Sequence, residues 1–141
     1  MKVEMDFDLK KISLDLSKEL NLAAQIIRKD HTDRLRKGLG VNGSKMEKLK
    51  SGQTSPLLID TGKMKNLVAS KATRQNQTVT INPGERSTYP GTNVTMSDVG
   101  GFHQTGAGNL PKREWFGIST KAEKNILQMI DARISQEIKR A

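Results

Sequence analysis

The sequence predicts an α+β fold: a small, mainly antiparallel sheet with an N-terminal and a C-terminal helix packed on it, and long polar loops between them. Three patterns predict it. Val3, Met5, Phe7 and Leu9 alternate with charged residues at the start of the chain, the period of two that gives a strand one apolar face. Leu16, Leu20, Ala23, Ala24 and Ile27, and near the other end Ile126, Ile130, Ile134 and Ile138, recur at the spacing of amphipathic helices. Between these stretches Thr78-Val79-Thr80-Ile81 is β-branched throughout, which suits a pleated, half-buried strand.

Taken in order, the elements follow from local chemistry. The first helix is expected from 13 to 37, with Leu35 closing its stripe and Gly38 and Gly40 stopping it. Residues 38–56 hold Gly38, Gly40, Gly43, Gly52 and Pro56 among Ser, Asn and Lys, and read as a long exposed connection. Leu57, Leu58 and Ile59 form an apolar knot ahead of Asp60-Thr61-Gly62. Leu67 to Arg74 and Thr78 to Asn82 flank Gln75-Asn76-Gln77 and read as an antiparallel hairpin ended by Pro83-Gly84. A second polar loop covers 83–97. Thr120 and Glu123 have the spacing of a capping box, so the last helix should run from 120 to 139, about 30 Å long. Its isoleucine stripe is most simply core packing, a partner contact being the sharper alternative.

A length of 141 residues fits one domain, spanning residues 1–141. Hydrophobic residues make up 34% and aromatics 4% of the chain. This is little material for a core, so further burial against a partner is expected. The formal charge is +9; it fits a solvated basic surface, an acidic protein partner or proximity to nucleic acid. Basic residues do not alternate with aromatics, which argues against a base-stacking platform. With no cysteine in the sequence, there is no disulfide and no thiolate nucleophile or metal ligand. No apolar run approaches the roughly 20 residues of a membrane span, and the first residues lack the apolar stretch of a signal peptide. Manufacture and use in the cytoplasm are expected.

No catalytic, cofactor-binding or metal site emerges. His31 and His103 are the two histidines, and neither has metal-ligand spacing. His103 lies in Gly101-Phe102-His103-Gln104-Thr105-Gly106 with no nucleophile motif to serve. Leu58-Ile59-Asp60-Thr61-Gly62 resembles the active-site loop of retroviral-type aspartic proteases, which need two aspartates sharing one proton. Lys63 follows it, and a cation there favours two ionised carboxylates over the shared proton. Turn and cap chemistry for Asp60, Thr61 and Gly62 is the simpler account. Gly38-Leu39-Gly40-Val41-Asn42-Gly43 imitates a phosphate loop, but a helix precedes it where that motif needs a strand.

The order of the segments resembles the virion-morphogenesis, or tail-completion, family of Mu-like and related tailed bacteriophages. The pieces are the first helix with Ala23-Ala24, the stretch with Asn42-Gly43, and Leu57-Leu58-Ile59-Asp60-Thr61-Gly62-Lys63-Met64. Phe102-His103-Gln104-Thr105-Gly106 and Leu110-Pro111-Lys112-Arg113-Glu114-Trp115-Phe116-Gly117-Ile118-Ser119 complete them. The pair His103-x2-Gly106 and Pro111-x-Arg113-x-Trp115-x-Gly117 is the most specific part. Glu114 stands where the family often has proline, and Trp115 where it usually has phenylalanine.

The resemblance implies a non-enzymatic structural protein, a neck subunit needed to join head and tail during virion assembly in the host cytoplasm. Its partners would be other head–tail connector and tail proteins and copies of itself in a ring, a hexamer being the candidate, close to packaged DNA and away from any membrane. Asp60, Thr61, Gly62, His103, Gly106, Pro111, Arg113, Trp115, Phe116 and Gly117 would then be structural or interface residues. Trp115 and Phe116 should anchor the start of the last helix, one facing each way if the segment is extended, with Arg113 paired to a carboxylate or backbone carbonyls. A basic nucleic-acid-binding module is the alternative reading, and an aspartic protease dimer a more distant one.

Overall fold

The computed structural model of the chain describes residues 2–6, 14–46, 67–83, 91, 93, 95, 98, 104–106, 108 and 114–140. In chain order these form strand β1 (Val3–Asp6), helix α1 (Ser17–Lys37), strands β2 (Leu67–Ala69) and β3 (Thr78–Pro83), and helix α2 (Thr120–Arg140). The three strands make an antiparallel sheet in the order β1-β3-β2. The helices pack on one face of it, α1 against β3 and α2 against α1. This is the α+β arrangement expected from the sequence.

The sheet obeys its period of two. Val79 and Ile81 on β3 are fully buried, and Leu67 beside them is buried too. Val3 and Ala69, paired with Ile81 from either side, are partly buried against the same cluster. Glu4, Val68 and Asn82 point the other way and are exposed. A sheet covered on one side alternates in this manner. The hairpin is present, but its first arm is shorter than expected, 67–69 rather than 67–74. The ladder continues one step further, as the Ser70 amide donates to the Thr80 carbonyl at 2.9 Å and Ser70 Oγ accepts the Thr80 amide at 2.8 Å. The chain then leaves the sheet, because residue 72 is claimed by α1.

That claim is one of three made by side-chain amides. Asn21 Nδ2 donates to the Ala72 carbonyl at 3.1 Å and Asn21 Oδ1 accepts the Ala72 amide at 2.8 Å. Gln77 does the same for the segment before α1, accepting from Leu16 N at 2.7 Å and donating to the Leu14 carbonyl at 3.0 Å. Because Gln77 holds residues 14–16 outside the helix, with Leu14 and Leu16 buried, α1 starts at Ser17 and not at residue 13. There Asp15 Oδ1 accepts the Ser17 amide at 2.9 Å; the Ser17 hydroxyl and amide together hold the Asp15 carboxyl below its usual range. Removing the Asn21 clamp by Asn21→Ala should cost about 1–3 kcal/mol, since both backbone groups of the buried Ala72 lose their partners. Urea unfolding measures this, and an unchanged midpoint would mean that water replaces the side chain at no cost.

The far end of α1 closes as the sequence suggested. Gly38 takes the left-handed conformation, φ 69°, which glycine adopts without steric cost. Its amide donates to the Leu35 carbonyl and the Leu39 amide to that of Arg34, the paired bonds of a Schellman ending. The segment after it is exposed at 42–45, as expected, but over 38–46 it closes into a hydrogen-bonded turn. Leu39 and Lys45 form a β-bridge, the Met46 amide donates back to the Gly38 carbonyl at 2.8 Å, and Met46 is buried. Residues 47–56 lie outside the described residues, as do 7–13, the apolar knot at 57–59 and most of the 83–97 loop.

Helix α2 runs over the expected span, but its cap is Ser119 in place of Thr120. Ser119 Oγ accepts the Ala122 amide at 3.1 Å and its carbonyl accepts the Glu123 amide at 2.9 Å. Thr120 is thus the first helical residue, and Glu123 instead places a negative charge in the first turn. Along the stripe, Ile126 and Ile130 are buried, Ile134 is half-buried and Ile138 is 69% exposed. The helix therefore outruns the core. An ion pair between Arg133 Nε and Glu19 Oε1 at 3.2 Å ties α2 to α1. A hydrogen bond from Arg133 holds the Glu137 carboxyl below its usual range and raises the guanidinium in turn. Among the described residues, no helix is long and apolar enough to cross a membrane.

Candidate functional site

The segment 114–119, which carries Trp115 and Gly117 from the second of the two motifs, sits where α1, the turn at 38–46 and α2 meet. Trp115 is fully buried and Phe116 is 5% exposed. The expectation that one would face outward fails. The chain is not regularly extended here, since Gly117 has φ 150°, and both rings close on one another, with centroids 5.8 Å apart. His31 of α1 completes the cluster, 5.4 Å from Trp115 and 6.4 Å from Phe116. These tilted and edge-on arrangements suit aromatic quadrupoles. Anchoring of the last helix by this pair is as expected.

The backbone of the segment is fixed from three directions. Gln104 Oε1 accepts the amides of Trp115 and Phe116 at 3.0 and 3.1 Å, and its Nε2 donates to the Phe116 carbonyl at 3.0 Å. Arg34 Nη1 donates to the Trp115 carbonyl at 3.1 Å, and Arg34 Nε to Asp30 Oδ2 at 2.8 Å. Both members of that pair are largely buried, so the attraction is weakly screened, and loss of either partner would leave an expensive charge. From the turn, the Val41 amide donates to the Glu114 carbonyl at 2.7 Å. A Cβ on Gly40 would lie 3.1 Å from that same carbonyl oxygen, which explains a glycine there without any phosphate loop.

Of the residues singled out in the sequence, the structure brings Trp115, Phe116 and Gly117 into this cluster and gives Gly106 a positive φ of 72°. Asp60, Thr61, Gly62, His103, Pro111 and Arg113 lie outside the described residues. Sequence reading missed the roles of Asp30, His31 and Arg34. A signal was present: His31 continues the series Leu20, Ala24, Ile27 and Leu35 on the buried side of α1, and Asp30 and Arg34 have the i,i+4 spacing of a helical ion pair. Gln104 could not have been assigned from its neighbours.

Beside the cluster is a cleft of about 550 Å³ between the second half of α1, residues 39–43 and the start of α2. It is lined by Lys29, Lys37 and Lys121, by the Asp30–Arg34 pair and by Asp33. No group of three or more His, Cys, Asp or Glu placed to hold a metal ion occurs among the described residues. Chemically, the arrangement offers a rigid aromatic anchor and a cationic recess. Comparison with family models, with curated proteins and with solved structures finds no match to this chain.

Proposed function

We propose that the chain is a non-enzymatic structural protein of a tailed bacteriophage, a tail-completion or neck subunit that assembles as a homo-oligomeric ring and joins head to tail. The observation that carries this reading is the overrun of α2. Leu127 is 53% exposed and Ile138 69%, with half-buried Ile134 between them in the helical sequence. Leu127 and Ile138 lie on the flank beside the buried face and are not covered by it, while Ile134 packs partly against the core. An amphipathic helix normally buries its apolar side, and large apolar side chains left in water along one flank suit an association surface. The resemblance of the motif order to the tail-completion family supports this identity for the assembly. A formal charge of +9 suits a place beside packaged DNA in the virion neck.

Negative-stain images of the purified protein, alone and added to incomplete heads or tails, test the proposal. Rings in the first case and joined particles in the second are expected. Glutamate at both Leu127 and Ile138 should abolish the rings and leave thermal unfolding of the subunit within about 0.5 kcal/mol per exposed site. A chain that stays monomeric at all concentrations and attaches to neither particle would sink it.

A further inference from the structure

We propose that the outward face of the two-helix layer binds the backbone of a DNA duplex. Opposite the buried series Leu20, Ala24, Ile27 and His31, helix α1 turns one stripe to solvent: Lys18, Leu22, Gln25, Lys29, Thr32 and Arg36, of which Thr32 is half-buried and the others exposed. On α2 the side away from Ile126 and Ile130 carries Lys121, Asn125, Gln128, Ala132, Ser135 and Lys139, all exposed. Each series advances by alternate steps of four and three positions, the spacing of a single helix face. The helices are antiparallel neighbours, since Glu19 at the start of α1 pairs with Arg133 late in α2 and the second half of α1 shares the cleft with the start of α2. Their buried sides meet in one core. Both stripes therefore face away from it together.

Acidic residues are kept off this face. Glu19 is bound to Arg133, Asp30 to Arg34, and Glu137 to Arg133 and Arg140, while Asp33 is half-buried in the cleft. Glu123 and Asp131, one turn either side of Leu127, share its flank of α2. What remains is a pair of ridges about 27 Å long at 1.5 Å per residue, with axes roughly 8–10 Å apart. They bear Lys18, Lys29, Arg36, Lys121 and Lys139, and neither stripe holds a carboxylate. Charge complementarity selects a polyanion, and the neutral residues select which one. Gln25, Thr32, Asn125, Gln128 and Ser135 belong, with lysine and arginine, to the side-chain types that hydrogen-bond phosphate oxygens. A protein partner would want an apolar or aromatic centre, and protein interfaces are poor in lysine; the large apolar residue here is Leu22, only 39% exposed. Neither stripe has an aromatic side chain to stack unpaired bases, so a duplex suits it better than a single strand. The choice of DNA over an RNA duplex rests on the neck position proposed above. The surface itself does not rest on the ring, because Leu127 and Ile138 lie outside both stripes.

The test titrates the full chain into a short labelled DNA duplex and follows fluorescence anisotropy over a range of salt concentrations. The logarithm of the binding constant should fall with that of the salt concentration at a slope of about −4, as for about four or five neutralised phosphates. Two double variants then reverse the charge of one stripe each: Lys18→Glu with Lys29→Glu, and Lys121→Glu with Lys139→Glu. Each should weaken binding about tenfold or more and make the slope shallower by about 2. Lys2→Glu combined with Val68→Glu and Asn82→Glu makes the same change in net charge at exposed positions of the sheet. At about 0.1 M salt, where exposed charges beyond about 10 Å are screened, it should weaken binding less than about threefold. All the substituted residues are exposed, so thermal melts should match wild type and separate lost binding from lost fold. The absence of salt-dependent duplex binding, an equal loss in the sheet variant, or tighter binding of an RNA duplex of the same length would each overturn the proposal. Equal binding of polyglutamate would also overturn it, in favour of an acidic protein partner. None of these outcomes touches the ring, whose assay reads Leu127 and Ile138.

Discussion

Replacing Trp115 with alanine should cost the folded chain about 3–5 kcal/mol, at the upper end of large-to-small core changes. The side chain is fully buried, and its ring is in contact range of both His31 and Phe116, at 5.4 and 5.8 Å between centroids. How far a site can collapse decides the size of such a loss, and this one can collapse little. Gln104 and Arg34 hold the backbone of residue 115 in place, and Phe116 is held by the same Gln104 amide. The cavity would persist. Urea unfolding followed by circular dichroism measures the effect, because the variant lacks the chain's single tryptophan as a fluorescence probe. A loss below about 1 kcal/mol would show that the cluster relaxes and that the clamp does not fix it.

Ile130→Asp should be as damaging, about 4 kcal/mol or more, because it buries a carboxylate without a partner at the middle of α2. Ile130 is 4% exposed and belongs to the main cluster. The contrast lies within the same stripe: Ile138→Asp, at a residue 69% exposed, should change subunit stability by no more than about 0.5 kcal/mol. If thermal melts of Ile130→Asp and wild type coincide, the stripe is not core along its first half and the helix assignment is wrong. If Ile138→Asp also unfolds the subunit, the overrun of α2 is not a free surface.

Most of the secondary structure was legible because it is written in short-range periodicity. The strand at β1, both helices, the Gly38 stop and the β2–β3 hairpin all follow from spacing or turn chemistry within a few residues. Boundaries failed where a distant residue intervened. Helix α1 begins at Ser17 because Gln77, 61 positions away from Leu16, binds the chain before it. The first hairpin arm stops early because Asn21, 51 positions from Ala72, draws the chain off the sheet. The cap of α2 was placed one residue late because Ser119 and Thr120 are both good caps, and local sequence does not separate them. The candidate site was half legible: the Trp115 segment was found as a motif, but its inward packing depends on His31 and Arg34 arriving from α1. That part needed the tertiary fold, as did the recess beside the Ser119 cap.

The three side-chain amides of Asn21, Gln77 and Gln104 have a consequence for how the chain avoids slipping. Strands of four, three and six residues carry little positional information, and a shift by one residue would turn every side chain of a strand to the opposite face. Each amide presents N–H donors and a carbonyl acceptor at a spacing close to that of a peptide group. It therefore pairs with backbone as another strand would, but from a single address in the sequence. Sliding the chain by one position would turn the bonded N–H and C=O away from the side chain that holds them and leave these groups without partners. The placement that longer ladders secure by repetition is secured here by three individual residues, and it survives only while each keeps both ends of its amide.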